Sequence, residues 1–221
     1  MTRTSDKIYQ NAGNPPVLKE VPSSAHIILD VGCGAGDNAR ALAGQGKVID
    51  AISASAAELE MARPWCRATM RYNLEEGLPP ECPGPYDVSI CSHVLEHLAD
   101  PARLLRDIHR ALNSQSGILI VAVPNIMHYR YRVQLLLGNF DYTDTGVMDN
   151  THYRWYTFAS GRTLLEQNGF KVLRAFGDGS FPLWKLRDAL PARISTALDC
   201  IACRYRPGVF ALQHIFTAVP V

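Results

Sequence analysis

The chain has 221 residues, 47% of them hydrophobic, which is enough to bury one sizeable core and lies near the upper end of an ordinary single domain. Twenty-two basic against 21 acidic side chains leave a formal charge of +1, so there is no global field for a polyanion and nucleic acid is not an expected partner. No apolar run approaches the roughly 20 residues of a membrane helix, none follows the basic residue of the N-terminal MTRTSDKIYQN, and six cysteines scattered through a chain of this size read as reduced thiols; a cytoplasmic protein without a membrane partner is expected.

In chain order, short β-rich apolar runs alternate with segments of helical period, the signature of an α/β fold with a parallel sheet and crossover helices. His26 to Val31 (HIILDV) is a buried strand ending in a glycine turn, followed by a helix over Asp37 to Gly44 with Asp37 at its favourable N-terminal end. Lys47 to Ser53 is a second strand, and the helix Ala56 to Arg63 stops at Pro64. Arg67 to Tyr72 and Tyr86 to Cys91 are the third and fourth strands. Pro101 opens the helix ARLLRDIHRALN, and Gly117 to Val123 (GILIVAV) is the fifth strand. The alternation then breaks. An aromatic and arginine-rich stretch at about 125–156 is too long for a plain connection and reads as a cover over a binding site. Thr157 caps the helix FASGRTLLEQNGF, Phe170 to Phe176 is a strand, a second insert with a short helical pattern fills about 177–208, and Val209 to Val219 is the last strand. No composition shift divides the chain, so 1–221 is expected to be one domain.

The strongest local signal is Asp30-Val31-Gly32-Cys33-Gly34-Ala35-Gly36 between a strand and a helix, where glycines let backbone turn tightly and approach a ligand. The dinucleotide fingerprint G-x-G-x-x-G would need its third glycine at position 37, which is Asp37, and that carboxylate would repel a pyrophosphate. A cofactor without phosphate fits better. S-adenosylmethionine (SAM), with its sulfonium and zwitterionic amino-acid end, tolerates acidic neighbours such as Asp30.

ILDVGCGAG resembles the first motif of class I SAM-dependent methyltransferases. AISASAAELEMAR, NLEEGLPP with YDVSICSHVLEHLADP, and LNSQSGILIVAVPN resemble the family's later motifs, covering about Ile27 to Asn125. The resemblance implies a seven-stranded Rossmann-like sheet of order 3-2-1-4-5-7-6 with helices on both faces. It also implies that Asp30, Gly32, Cys33, Gly34 and Gly36 line the methionine and ribose side of SAM, Ser53 and Ala54 the end of the second strand, Asn73 and Leu74 the adenine, and Ser92, His93 and Val94 the floor below it. The family usually places an acidic residue where Ser53 stands, to accept both ribose hydroxyls, and often an aspartate at Asn73. Each charged hydrogen bond lost without replacement weakens binding by about 1–3 kcal/mol. Asp50, three residues earlier on the strand, is no substitute.

His93-Val94-Leu95-Glu96-His97 matches the short zinc pattern H-x-x-E-H, but it coincides with the fourth-strand motif, and no metal is expected there. Cys200 and Cys203 have metal or redox spacing without a second pair and read as one face of a helix. Arg130, Arg132 and Arg154 with Tyr129, Tyr131, Tyr153 and Trp155 either grip phosphate and stack on a base or form a solvated rim. Methyl transfer to a hydroxyl is helped by a group that removes its proton, and His152 in DNTHYRWYT is the candidate. This segment resembles methyltransferases associated with cell-surface polysaccharide and glycan synthesis, while PNIMHYRYRVQLLLGNF resembles the methionine-biosynthesis protein MetW. The expected function is methyl transfer to a small-molecule or saccharide hydroxyl. The alternatives are a MetW-like activating partner protein and an RNA or protein methyltransferase, and a homodimer is compatible with the inserts.

Overall fold

The computed structural model describes residues 8–10, 12–182 and 190–221. Seven strands form one sheet: β1 (Ile27–Val31), β2 (Val48–Ser53), β3 (Ala68–Arg71), β4 (Val88–Ser92), β5 (Ile118–Pro124), β6 (Phe170–Gly179) and β7 (Ala211–Pro220), in the spatial order 3-2-1-4-5-7-6. The first five run parallel, and β7 is antiparallel to both β5 and β6. The expected fold class and strand order are observed.

Side-chain alternation along the central strands divides the core between the two faces of the sheet. On one face Ile28, Val88, Ile90, Ile120 and Ala122 pack with Val17 of the single-turn helix α1 (Pro15–Leu18) and with Ala39 and Leu42 of α2 (Asp37–Ala43). On the other, Leu29, Val31, Leu119, Val121 and Val123 meet Leu104, Leu105 and Ile108 of α4 (Pro101–Ala111) and Leu165 of α6 (Phe158–Gln167). The helix α3 (Ala56–Ala62) flanks β2 and β3, and Pro64 does not end it abruptly: a 3-10 turn over Arg63–Trp65 accommodates the ring. Thr157 caps α6 with a capping box completed by Ser160.

Several boundaries differ from expectation. Tyr86 lies outside β4, paired only by an isolated bridge to Leu112. The cover at 125–156 is not irregular throughout, because Tyr129–Leu136 forms a helix, α5, whose N-cap His128 accepts from the Arg130 N–H. The second insert lies at 180–210 rather than 177–208. β6 continues to Gly179 because β7 pairs with it that far, and a four-residue helix at Pro207–Phe210 postpones the start of β7 to Ala211. What remains of the insert holds a 14-residue helix, Ala192–Tyr205, with Cys203 buried and Cys200 exposed; both are free thiols. Among the described residues no helix is long and apolar enough to cross a membrane.

Candidate active site

The expected cofactor residues lie at or just beyond the C-terminal ends of β1, β2, β3 and β4, the edge where open α/β sheets bind their ligands. Asp30 closes β1 with one carboxylate oxygen buried and unpartnered, and burial pushes its pKa up to about 7. A cationic ligand beside it would restore the ionised form. The turn that follows leaves no room for side chains. A Cβ on Gly34 (φ +53°) would lie 2.7 Å from the Tyr9 carbonyl oxygen, and one on Gly36 (φ +81°) would lie 2.6 Å from the Ala62 Cα. Gly32 packs as closely on Val94, which is buried. Cys33 is buried, and burial with the Asp30 charge drives its thiol pKa upward, so it is an inert wall of the turn.

At Ser53, where the sequence lacks an acidic residue, a carboxylate arrives from the next helix. The Ser53 hydroxyl donates to Glu58 Oε2 at 2.6 Å, and Glu58 Oε1 accepts from the Tyr9 N–H at 2.8 Å. Ser55 and Glu58 have the S-x-x-E spacing of a capping box, which is why Glu58 passes for a capping residue in the sequence. Only half of that box forms: the Glu58 N–H donates to the Ser55 hydroxyl, whereas the Ser55 N–H donates to Ser53 Oγ. The carboxylate is therefore released from capping and held buried beside the end of β2. Asp50 is taken by Arg67 at 2.9 Å and by the Tyr86 hydroxyl at 2.9 Å, so its role is structural.

Asn73 and Leu74 begin a 3-10 turn after β3, with the Asn73 side chain accepting from the Glu75 N–H. Ala54 is exposed, and its carbonyl accepts from Arg71. Ser92 accepts from Asn14 at 3.0 Å. His93 takes φ +58°, a conformation side chains rarely adopt, one residue beyond β4. Its Nε2 lies 3.0 Å from Gln213 and its Nδ1 3.3 Å from Glu96; burial opposes its charge, but Glu96 and Gln213 outweigh it and raise its pKa.

The 125–156 segment meets this edge at Glu96. Its carbonyl accepts from the N–H groups of Tyr153 and Arg154, fixing His152 against His97 with ring centroids 4.6 Å apart. His152 Nδ1 lies 3.1 Å from the Val147 carbonyl, which requires the proton on Nδ1 and leaves Nε2 a lone pair. Burial lowers the pKa of His152, so this lone pair is present at neutral pH. His97 Nδ1 is 3.0 Å from Thr151 Oγ1, and that hydroxyl donates to Asp149 at 2.7 Å. Its proton thus spent, Thr151 accepts from His97 Nδ1, the tautomer that leaves Nε2 as the acceptor nitrogen of a neutral ring. Tyr9 joins the two halves: its carbonyl accepts from the Ala35 N–H of the glycine turn, while its hydroxyl reaches Asp149 and Thr151 at 3.3 Å each. Glu58, Tyr9, Glu96 and His97 were not among the expected site residues; the last two were set aside because their H-x-x-E-H match coincides with the fourth-strand motif, and no spacing signal joins them to His152. Of the cover's aromatics, Phe140, Tyr142 and Trp155 cluster edge to face or tilted with centroids 5.5 to 6.2 Å apart.

The reversed last strand, the 3-2-1-4-5-7-6 order and the glycine turn at the end of β1 define a class I methyltransferase. Residues 6–175 match the methyltransferase domain family, and the chain belongs to it. The ubiquinone biosynthesis O-methyltransferase of Xylella fastidiosa (strain 9a5c) is 35% identical over 114 residues, covering 49% of this chain and 46% of the relative. The protein of that name from strain M23 is 29% identical over 206 residues, 86% of this chain and 78% of the relative. The match to the first of these spans less than half of the relative's length. A SAM-dependent methyltransferase from Mesorhizobium loti superposes with a TM-score of 0.60 at 19% identity, covering 92% of this chain and 95% of that one, a likeness of fold.

Proposed function

We propose that this protein binds SAM and transfers its methyl group to a hydroxyl of a small molecule, with a phenol or a saccharide as the acceptor classes to test first. The observation that carries the reading is the juxtaposition made by Tyr9, which places the glycine turn and Glu58 on one side and His97 and His152 on the other within the length of one residue. The relatives named as O-methyltransferases support an oxygen acceptor. The resemblance of the DNTHYRWYT segment to glycan-associated methyltransferases and the Phe140, Tyr142 and Trp155 cluster support a ring-shaped one.

The residues fit SAM. The unpartnered Asp30 oxygen suits a cationic ligand, the glycine turn suits close backbone approach, and Glu58 replaces the carboxylate that Ser53 lacks, with capacity left on both oxygens for ribose hydroxyls. Bound SAM would supply a methyl carbon made electrophilic by its sulfonium. The chain's own work is to align the acceptor, exclude water beneath the cover and promote loss of the hydroxyl proton. His152 is the group for that last task, because its tautomer is fixed by Val147 and its ring packs edge-on against His97. Glu58 also removes the observation that favoured a non-catalytic, MetW-like partner protein.

Transfer of labelled methyl from SAM to a panel of phenols, catechols and nucleotide sugars tests the proposal. His152→Ala should lower kcat by about 10²–10⁴-fold with SAM affinity within about twofold of the original. Methylation of amines or RNA but of no hydroxyl, or full activity in His152→Ala, would overturn it.

A further inference from the structure

Glu96, His97 and His152 converge from two parts of the chain that share no motif, and one ligating atom from each lies within 4.8 Å of the others. Glu96 is fully buried and, among the described residues, neither carboxylate oxygen accepts a hydrogen bond; its one charged neighbour is His93, whose Nδ1 stands 3.3 Å from Oε1 and forms an ion pair only when protonated. A buried carboxylate without hydrogen bonds, paired only with a half-exposed imidazole, is costly, and a cation bound directly to it would relieve that cost. In both histidines Nδ1 is taken, by the Val147 carbonyl for His152 and by the Thr151–Asp149 pair for His97, so Nε2 is the nitrogen each ring can offer an ion. Oriented imidazoles whose second nitrogen is held by a carbonyl or a carboxylate relay are the arrangement that supports histidine metal ligands.

From this we infer that Glu96, His97 and His152 bind a divalent cation, with Zn²⁺ the ion their donor set suits best. Two imidazoles and one carboxylate make three ligands of a tetrahedral site with the fourth position open. Drawing the three atoms to about 2.0–2.2 Å from an ion needs side-chain shifts of only about 1 Å. The site differs from the H-x-x-E-H pattern, since His93 turns to Gln213 and the second histidine comes from the cover. It rests on the reading of this edge as a methyltransferase site and deepens it. The open position takes the acceptor oxygen, and coordination lowers the hydroxyl pKa so that its proton passes to solvent as the oxygen approaches the methyl carbon. His152 then promotes deprotonation as a ligand of the ion.

The test is titration of the metal-stripped protein with Co²⁺ alone, read by the visible d–d absorption of a low-symmetry four- or five-coordinate site, followed by competition with Zn²⁺. One equivalent should bind and be displaced by Zn²⁺, and Glu96→Gln, His97→Gln and His152→Gln should each weaken Co²⁺ binding by at least tenfold. Each variant is also titrated with SAM, so that retained SAM binding shows an intact fold. Absence of stoichiometric Co²⁺ binding by the original protein, or binding unaltered in all three variants, overturns the metal site. Stoichiometric Co²⁺ binding lost in the variants, in a protein that does not bind SAM, keeps the metal site and overturns the methyltransferase reading instead.

Discussion

Glu58 and Ser53 are hydrogen-bonded partners, and in the proposed site Glu58 serves where the residue at 53 usually does. Glu58 is buried and hydrogen-bonded to Ser53 Oγ and the Tyr9 N–H, so Glu58→Ala removes the carboxylate and leaves two donors unpaired. A charged hydrogen bond to the ribose is worth about 1.5–3 kcal/mol, so SAM affinity should fall by about 10–100-fold in a calorimetric titration. Adding Ser53→Asp should recover most of it; failure of that double variant to bind better than Glu58→Ala would remove Glu58 from the ribose site. Asp30 makes a second prediction. Its pKa is raised from 3.8 to about 7 by burial, so the folded state holds the proton more tightly than the unfolded one. Its contribution to stability is present below about 4 and is lost as pH rises towards 7. A cationic ligand prefers the ionised form, so SAM affinity should rise with pH up to about 7 and level off above it, and Asp30→Asn should flatten the profile at weak affinity.

At the scale of the elements, the turn between β1 and α2 depends on close approach to α3 and to Tyr9. Gly36→Ala forces a Cβ against Ala62 at a positive φ. It should cost roughly 1–3 kcal/mol in denaturant unfolding, whereas Gly46→Ala, where a Cβ meets nothing within 4 Å, should cost less for the same kind of backbone strain. Helix α5 and strand β7 each carry a buried histidine kept neutral: burial lowers His128 and His214 from 6.5 to about 4. The unfolded chain binds these protons first, so their contribution is complete above about 6.5 and disappears as pH falls towards 4. Both ring nitrogens of His214 are buried and unpartnered. His214→Leu should therefore leave stability at pH 7 within about 1 kcal/mol of the original and reduce its acid sensitivity, as thermal melts between pH 4 and 8 would show. The elements were largely legible because strand alternation, Pro101 and Thr157 are local signals. The end of β6 and start of β7 were not, because their register is set by pairing across the sheet.

For the whole molecule, the order of the sheet was implied by the family resemblance of the motifs along the chain, and both cores follow from the two-residue period of the strands. The candidate site was legible only on the side expected to take the cofactor, where one loop supplies most residues. The other side joins residues 9, 96–97 and 149–152, which no spacing rule connects, and Glu58 sits on the next helix with its carboxylate brought back to Ser53 by the fold. The central claim is that these pieces form one SAM site. Calorimetric titration of the purified protein with SAM and with its demethylated product, beside Gly34→Asp, tests it most directly. One-to-one binding at micromolar affinity, abolished when a side chain at position 34 meets the Tyr9 carbonyl, is the predicted result; no binding, or binding unchanged in Gly34→Asp, would contradict it.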